Sequence, residues 1–301
     1  MLNQVTIHQL ELFLIAAGLK NFSRAAEQMS ISQPAFSAQI IKLEQVLGVP
    51  LFDRVGRRIE LTKAGVIFEE YARMTISTLS EGKQAIDDIS NKFVGRLQLG
   101  ASTTVASYML TNGISEYKRT YPVGKVRMLV GNTNQIEQHL LKNEIDIGIV
   151  EGPVENKRLK LYAYRDDELV VICSPSHKWS KRKSVTLTEL KKEPIIVREW
   201  GSGTRRVFMD ALGPACDDLN INMELGGTEA IKNAVIDNIG VAVLSRATVE
   251  VELKNGTICS TYVENYPFKR QINIILLKSR YISHPVRYFM KILKPLDPLP
   301  E

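Results

Sequence analysis

The chain opens on short helical periods. Leu10, Phe13, Leu14 and Ala17 fall on one face of a helix predicted over residues 7–18. Phe22, Ala25, Ala26 and Met29 mark a second, and after a turn at Ser30-Ile31 the residues Phe36, Ile40, Leu43 and Leu47 mark a third. Ser32 suits the N-cap of that third helix, Pro34 its first turn, and Gly48 its close. Two short helices joined by a tight turn make a helix-turn-helix, which presents the start of its second helix to the DNA major groove. Residues 49–62 read as a two-stranded wing turning at Val55-Gly56. Thr62 caps a helix reaching to about Asn91, in which Phe68, Tyr71, Ala72, Leu79, Ile86 and Ile89 keep the helical period. So long an amphipathic helix calls for a partner: a second copy of the chain is the simplest, packing on its own chain the alternative.

After Gly95 the texture changes to strands alternating with helical segments. Strand patterns fall at 96–100, 126–130, 145–150, 169–173, 195–197, 240–244 and 272–277, with helices near 105–120, 133–143 and 284–294. That rhythm predicts an α/β sheet with crossover helices. It reads as two similar halves, the second inserted into the first, with crossings near 162–166 and 265–270.

Bulk properties narrow the function. The chain has 301 residues, 24% charged and 44% hydrophobic, enough for two or three domains. No apolar run reaches membrane-span length, and the N-terminus lacks the basic and apolar regions of a signal peptide, so the expected compartment is the cytoplasm, with no membrane partner. A net charge of +6 suits a nucleic-acid partner, yet residues 1–62 carry six Lys/Arg against five Asp/Glu. The charge is local instead: Arg54, Arg57 and Arg58 cluster just after the third helix, placed for phosphates or the minor groove unless they form a plain solvated run. Cys173, Cys216 and Cys259 are widely spaced and odd in number, which predicts neither a disulfide framework nor a zinc site. His8, His139, His177 and His284 have no ligand spacing, and no G-x-S-x-G elbow or Cys–His arrangement is present. Neither a catalytic nor a metal residue is assigned, and no cofactor is expected.

The motifs carry a resemblance. Ser23-Arg24-Ala25-Ala26, Ser32-Gln33-Pro34-Ala35 with Ser37, Leu43-Glu44, Leu51-Phe52-Asp53-Arg54 and Leu61-Thr62-Lys63-Ala64-Gly65 are similar to the N-terminal module of LysR-type transcriptional regulators. The resemblance implies a multidomain α+β chain. A winged helix-turn-helix would occupy 1–62 and a dimerising linker helix and hinge 63–94. A bilobal α/β effector domain like the periplasmic binding proteins would fill 95–301, with lobe I at 95–164 and 268–301 and lobe II at 165–267. It also implies base-edge contacts from Gln33, Pro34 and Ser37, Gln33 to an adenine edge and Pro34 to a thymine methyl. Ser23, Arg24 and Ser32 would hold phosphates. Many relatives carry a basic residue after the serine at 37; this chain has Ala38, which shifts specificity toward Gln39, Lys42 or the wing.

A ligand site is expected where strands end and helices begin. Those points carry Ser102, Thr103 and Thr104; Asn132 and Thr133; Arg198 with Gly201, Ser202, Gly203, Thr204 and Arg205; and Thr228 with Glu229. Free backbone N–H groups and the positive helix end favour an anion there, with hydroxyls donating to its oxygens. Glu151 faces the same region, either accepting from a ligand or pairing with Arg198 or Arg205. The Arg198–Arg205 segment is similar to the branch of the family that includes regulators of carbon fixation and of sulfur assimilation, which implies a small anionic metabolite. The expected protein is a ligand-responsive, sequence-specific DNA-binding regulator. Its expected partners are double-stranded promoter DNA, a small-molecule effector, further copies of itself as homodimer or homotetramer, and RNA polymerase. A solute receptor built like residues 95–296, or an enzyme, is the rival reading.

Overall fold

The structure is a computed structural model that describes residues 4–55, 58–90 and 96–298. The chain separates into two compact units, residues 1–91 and 92–301.

The first unit holds α1 (Ile7–Leu19), α2 (Phe22–Gln28), α3 (Gln33–Leu47), the hairpin β1 (Phe52–Val55) with β2 (Arg58–Leu61), and α4 (Lys63–Ile89). Thr6 and Gln9 form a capping box at the start of α1, satisfying two amides that the helix leaves open. Ser32 caps α3, and Gly48 ends it in the left-handed region at φ 73°. Phe13 packs on Phe52 and Phe68, and Phe22 on Phe36 and Phe52, so one aromatic core ties helices, wing and α4 together. Gly65 is required there: a Cβ would come 2.1 Å from the Leu51 carbonyl oxygen. Along α4, Ala72 is buried, whereas Tyr71, Leu79, Ile86 and Ile89 are exposed, Leu79 by 58% and Ile86 by 64%.

The second unit is a mixed sheet clothed in helices. Its strands are β3 (Leu97–Ser102), β4 (Val126–Gly131), β5 (Ile147–Glu151), β6 (Leu159–Cys173), β7 (Ser184–Val185), β8 (Ile195–Arg198), β9 (Ile221–Leu225), β10 (Val241–Ser245), β11 (Cys259–Val263) and β12 (Phe268–Leu277). Its helices are α5 (Thr103–Tyr108), α6 (Thr111–Thr120), α7 (Thr133–Leu141), α8 (Leu187–Leu190), α9 (Gly203–Leu212), α10 (Thr228–Ile236), α11 (Glu250–Asn255) and α12 (His284–Leu293). The strand order is β4-β3-β5-β12-β6-β10-β8-β9, with β11 and β7 added beyond β6. The triplets β4-β3-β5 and β10-β8-β9 are each parallel, and the antiparallel pair β6–β12 runs through both. Lobe I packs cores around Leu99, Ile149, Ile274 and Phe289 and around Ile136 and Ile275; lobe II around Val171, Trp179 and Phe208 and around Ile172 and Ile231. Four parallel-strand ends are polar: Ser102, Glu151, Arg198 and Ser245.

Some elements differ from the expectation. The segment expected as one helix near 105–120 is two, because the chain turns at Met109-Leu110. The short strand expected at 169–173 is the end of the fifteen-residue β6. Its first half alternates irregularly around the β6–β12 register shift at Ile272/Asn273, which hides the strand period.

Candidate functional site

In the first unit, α2 and α3 present an exposed polar edge. Ser23, Arg24, Ser32, Gln33, Pro34 and Lys42 are exposed, Ser37 half-buried. The Gln33 amide donates to Ser37 Oγ at 2.9 Å, so the first turn of α3 offers one linked polar pair. Gln39 is engaged differently: it accepts at 3.3 Å from Gln9, a buried residue of α1, and the bond anchors α3 to α1. Glu44 accepts from the amides of Leu51 at 2.7 Å and Phe52 at 3.2 Å. It fixes the wing to α3, a role no composition signal announces. Arg58 is exposed; the side chain of Arg54 and the whole of Arg57 lie outside the described residues.

In the second unit, the carboxyl ends of both parallel triplets meet across a cleft. From lobe I, Ser102 donates to Glu151, and Thr133 donates to the Glu151 carbonyl at 2.9 Å. Thr103 donates to the Gly131 carbonyl at 3.2 Å, and Thr104 is buried. Asn132 reaches across to the Trp200 carbonyl at 3.2 Å, and the Asn134 amide to Gly201 at 3.2 Å. Gly201 sits at φ 84°, a left-handed conformation that glycine adopts without strain.

The two crossing strands supply the rest. Arg270 on β12, its side chain 1% exposed, donates to Asp167 at 2.7 Å and to Thr204 at 2.8 Å, with Glu151 3.9 Å away. Ser245 donates to the other Asp167 oxygen at 2.7 Å. Glu151 therefore faces Arg270, rather than Arg198 or Arg205. Arg198 pairs with Glu199 at 2.8 and 2.9 Å. Burial opposes ionisation of Glu199, but the hydrogen bonds and charge of Arg198 outweigh it and hold its carboxyl below the usual range. Arg205 binds Glu224 at 2.5 Å and stacks on Trp200 at 4.4 Å. Among the described residues, several buried donors lack a partner, and four of them belong to this cleft: one guanidinium nitrogen each of Arg198 and Arg270, and the hydroxyls of Ser202 and Thr228; the others, on Tyr117, Tyr162, Trp179 and Thr261, lie elsewhere.

A second link closes the same cleft. Tyr108 on α5 donates to Glu229 at 2.5 Å, and Lys232 on α10 donates to Tyr108 at 3.2 Å and Glu252 at 2.7 Å. Burial disfavours the ammonium, yet hydrogen bonds to Glu229, Glu252 and Tyr108 prevail and raise its pKa. Burial, then the bond to Glu229, raises that of the Tyr108 phenol.

Arg270, Asp167, Ser245, Lys232 and Tyr108 belong to no motif that the sequence alone marks. Three left a signal. Arg270 keeps step with buried Phe268 and Ile272, Asp167 with Leu169 and Val171, and Lys232 shares the buried face of α10 with Ile231 and Val235. A charge at a core-facing position needs a partner inside.

A winged helix-turn-helix joined to a bilobal α/β unit with a polar cleft defines a DNA-binding regulator with an effector-binding domain. The chain belongs to the LysR family. Residues 7–66 match the family model for the bacterial regulatory helix-turn-helix protein, lysR family, and residues 90–296 the LysR substrate binding domain. It is 32% identical to the HTH-type transcriptional activator CmpR of Synechocystis over 97% of this chain and 96% of that one. It is also 32% identical to a probable RuBisCO transcriptional regulator of Trichormus variabilis, over 98% and 90%. These relatives support the carbon-fixation branch, and they are named as transcriptional regulators, not enzymes. Among solved structures, the regulatory domain of Synechocystis CcmR in complex with 2-PG is 31% identical with a TM-score of 0.61, covering 66% of this chain and 95% of that one. Among the described residues no helix is long and apolar enough to cross a membrane.

Proposed function

We propose that this regulator works in the cytoplasm as a homo-oligomer, dimer or tetramer, whose affinity for promoter DNA is set by a small anion held in the interlobe cleft. The observation that carries this reading is the set of four buried, unpartnered donors on Arg198, Ser202, Thr228 and Arg270. Buried donors are costly unless something accepts from them, and an anion satisfies several at once. The 2-PG held by the CcmR domain makes phosphorylated carboxylates the first class to test.

In this reading residues 1–62 bind DNA, 63–94 pair copies of the chain, and lobes at 95–164 with 268–301 and at 165–267 take the effector. Gln33, Pro34 and Ser37 touch bases. Ser23, Arg24, Ser32, Lys42 and the wing arginines 54, 57 and 58 hold phosphates; Gln39 supports α3 from behind. Ser102, Thr103, Thr104, Asn132, Thr133, Glu151, Gly201, Gly203, Thr204, Arg205 and Glu229 shape the cleft around the four donors. The exposed apolar face of α4 supports pairing of copies, since a stripe of that size is stable when a second copy covers it. The anion shifts a two-state equilibrium between lobe arrangements, and RNA polymerase responds to the resulting DNA complex.

The test is thermal-shift screening of phosphorylated carboxylates, sugar phosphates and sulfate against wild type, Ser202→Ala and Thr228→Val. A hit that stabilises wild type and loses at least half its shift in either variant supports the cleft. Equal shifts in all three proteins place binding elsewhere.

A further inference from the structure

Two of the three cysteines, 86 positions apart in sequence (259 − 173), are neighbours in the fold. Cys173 ends β6, Cys259 begins β11, and the two are direct register partners on antiparallel strands. Directly opposed residues in such a ladder have Cα atoms about 4.5 to 5.5 Å apart and side chains on the same face. That range falls inside the roughly 4.4 to 6.8 Å that a disulfide spans. Both thiols border one lobe II core, and both are free. Cys173 is fully buried, while Cys259 is half-buried and open to a small oxidant.

We propose that Cys173 and Cys259 form a reversible cross-strand disulfide when a peroxide reaches Cys259. The Cys259 thiolate attacks one peroxide oxygen. A sulfur–oxygen bond forms, the oxygen–oxygen bond breaks, and hydroxide leaves to take up a proton as water. The Cys173 sulfur then attacks the oxidised Cys259 sulfur. The sulfur–sulfur bond forms, the sulfur–oxygen bond breaks, and the departing hydroxide takes the Cys173 proton as a second water. Two thiols and one peroxide give one disulfide and two waters, the two electrons passing to the peroxide.

The partition of roles follows from burial. Burial, with the neighbouring Cys259, pushes the Cys173 thiol up to about 12, so it is inert toward an oxidant in solution. It can act only on a sulfur already beside it, and only Cys259 occupies that place in the register. Cys216 borders the same core but lies in the 3-10 segment Gly213–Asp218, outside the strand register that opposes the other two. The bond would tie β11 to β6, the strand that carries Asp167 in the same C-terminal half as Cys173.

The experiment treats the reduced full-length chain with hydrogen peroxide, alkylates it in denaturant and maps its peptides. Two of the three cysteines should become protected, recovered as one peptide linking 173 to 259, and dithiothreitol should restore all three. Cys216→Ser should leave that link intact, and Cys259→Ser should abolish it and keep Cys173 alkylatable. Unfolding temperature should rise on oxidation in wild type and Cys216→Ser. Three alkylatable thiols after peroxide, or a link that involves Cys216, overturns the proposal.

Discussion

The Cα of Gly203 lies against the backbone of Glu151: a Cβ at 203 would sit 2.0 Å from the Glu151 carbonyl oxygen. Gly203 opens α9 in lobe II and Glu151 ends β5 in lobe I, so this approach sets how closely the lobes meet. The obstacle is backbone, which cannot rotate aside. Gly203→Ala should therefore hold the lobes apart, cost about 1–3 kcal/mol by urea unfolding, and weaken any cleft ligand. Gly18→Ala near the end of α1 is the control: a Cβ there meets nothing, and an exposed helix gains up to about 1 kcal/mol.

Thr228→Val should separate stability from binding. The hydroxyl is buried without a partner, so removing it should stabilise the protein by about 1 kcal/mol in the absence of effector. The same change should weaken a cleft anion roughly five- to thirtyfold. Calorimetric unfolding and titration of one hit from the screen read both. Loss of stability together with unchanged affinity would place the hydroxyl outside the site. Thr103 is a less direct probe, because its hydroxyl already serves the Gly131 carbonyl.

Glu44→Ala leaves two wing amides without their acceptor. DNA affinity should fall by about 1–3 kcal/mol on specific and non-specific sequences alike, since the wing loses its seat on α3. Gln33→Ala should cost a similar amount on the specific site only. Parallel losses for both variants across random and specific DNA would remove the base-contact role of Gln33.

Acid should loosen lobe II through Glu199. Its carboxyl is held below the ordinary 4.5 in the fold, so its pairing with Arg198 contributes fully above that value and is lost as pH falls through the folded one. Urea unfolding between about pH 6 and pH 3 should show a decline that Glu199→Gln flattens. An identical slope in both proteins would assign acid sensitivity to other carboxylates.

Leu79→Asp puts a charge on the exposed stripe of α4. If a second copy covers that stripe, light scattering should show dissociation or aggregation. A well-folded variant of unchanged oligomer size would show that the face is not an interface.

The helix-turn-helix was legible because its signals are local: caps at Ser32 and Gly48 and an apolar stripe of a few turns. The strand-end hydroxyls of the cleft were legible for the same reason. Arg270 and Asp167 were not, because each is defined by a partner about a hundred residues away, and only their phase with core neighbours marked them. The same distance hid the Cys173–Cys259 register pair. Glu151 is legible as a cleft residue from its place at the end of β5, yet its cation is Arg270, a choice that the register of β12 on β5 and β6 decides.

Fluorescence anisotropy on DNA from upstream of the chain's own gene, against scrambled DNA, tests the central claim most directly. Titrations run with and without the strongest anion from the screen, on wild type and Thr228→Val. The account predicts tighter binding to the upstream DNA, an affinity that shifts with the anion in wild type, and a shift that needs a much higher anion concentration in Thr228→Val. Equal affinity for both DNAs, or an anion response identical in the two proteins, would contradict it.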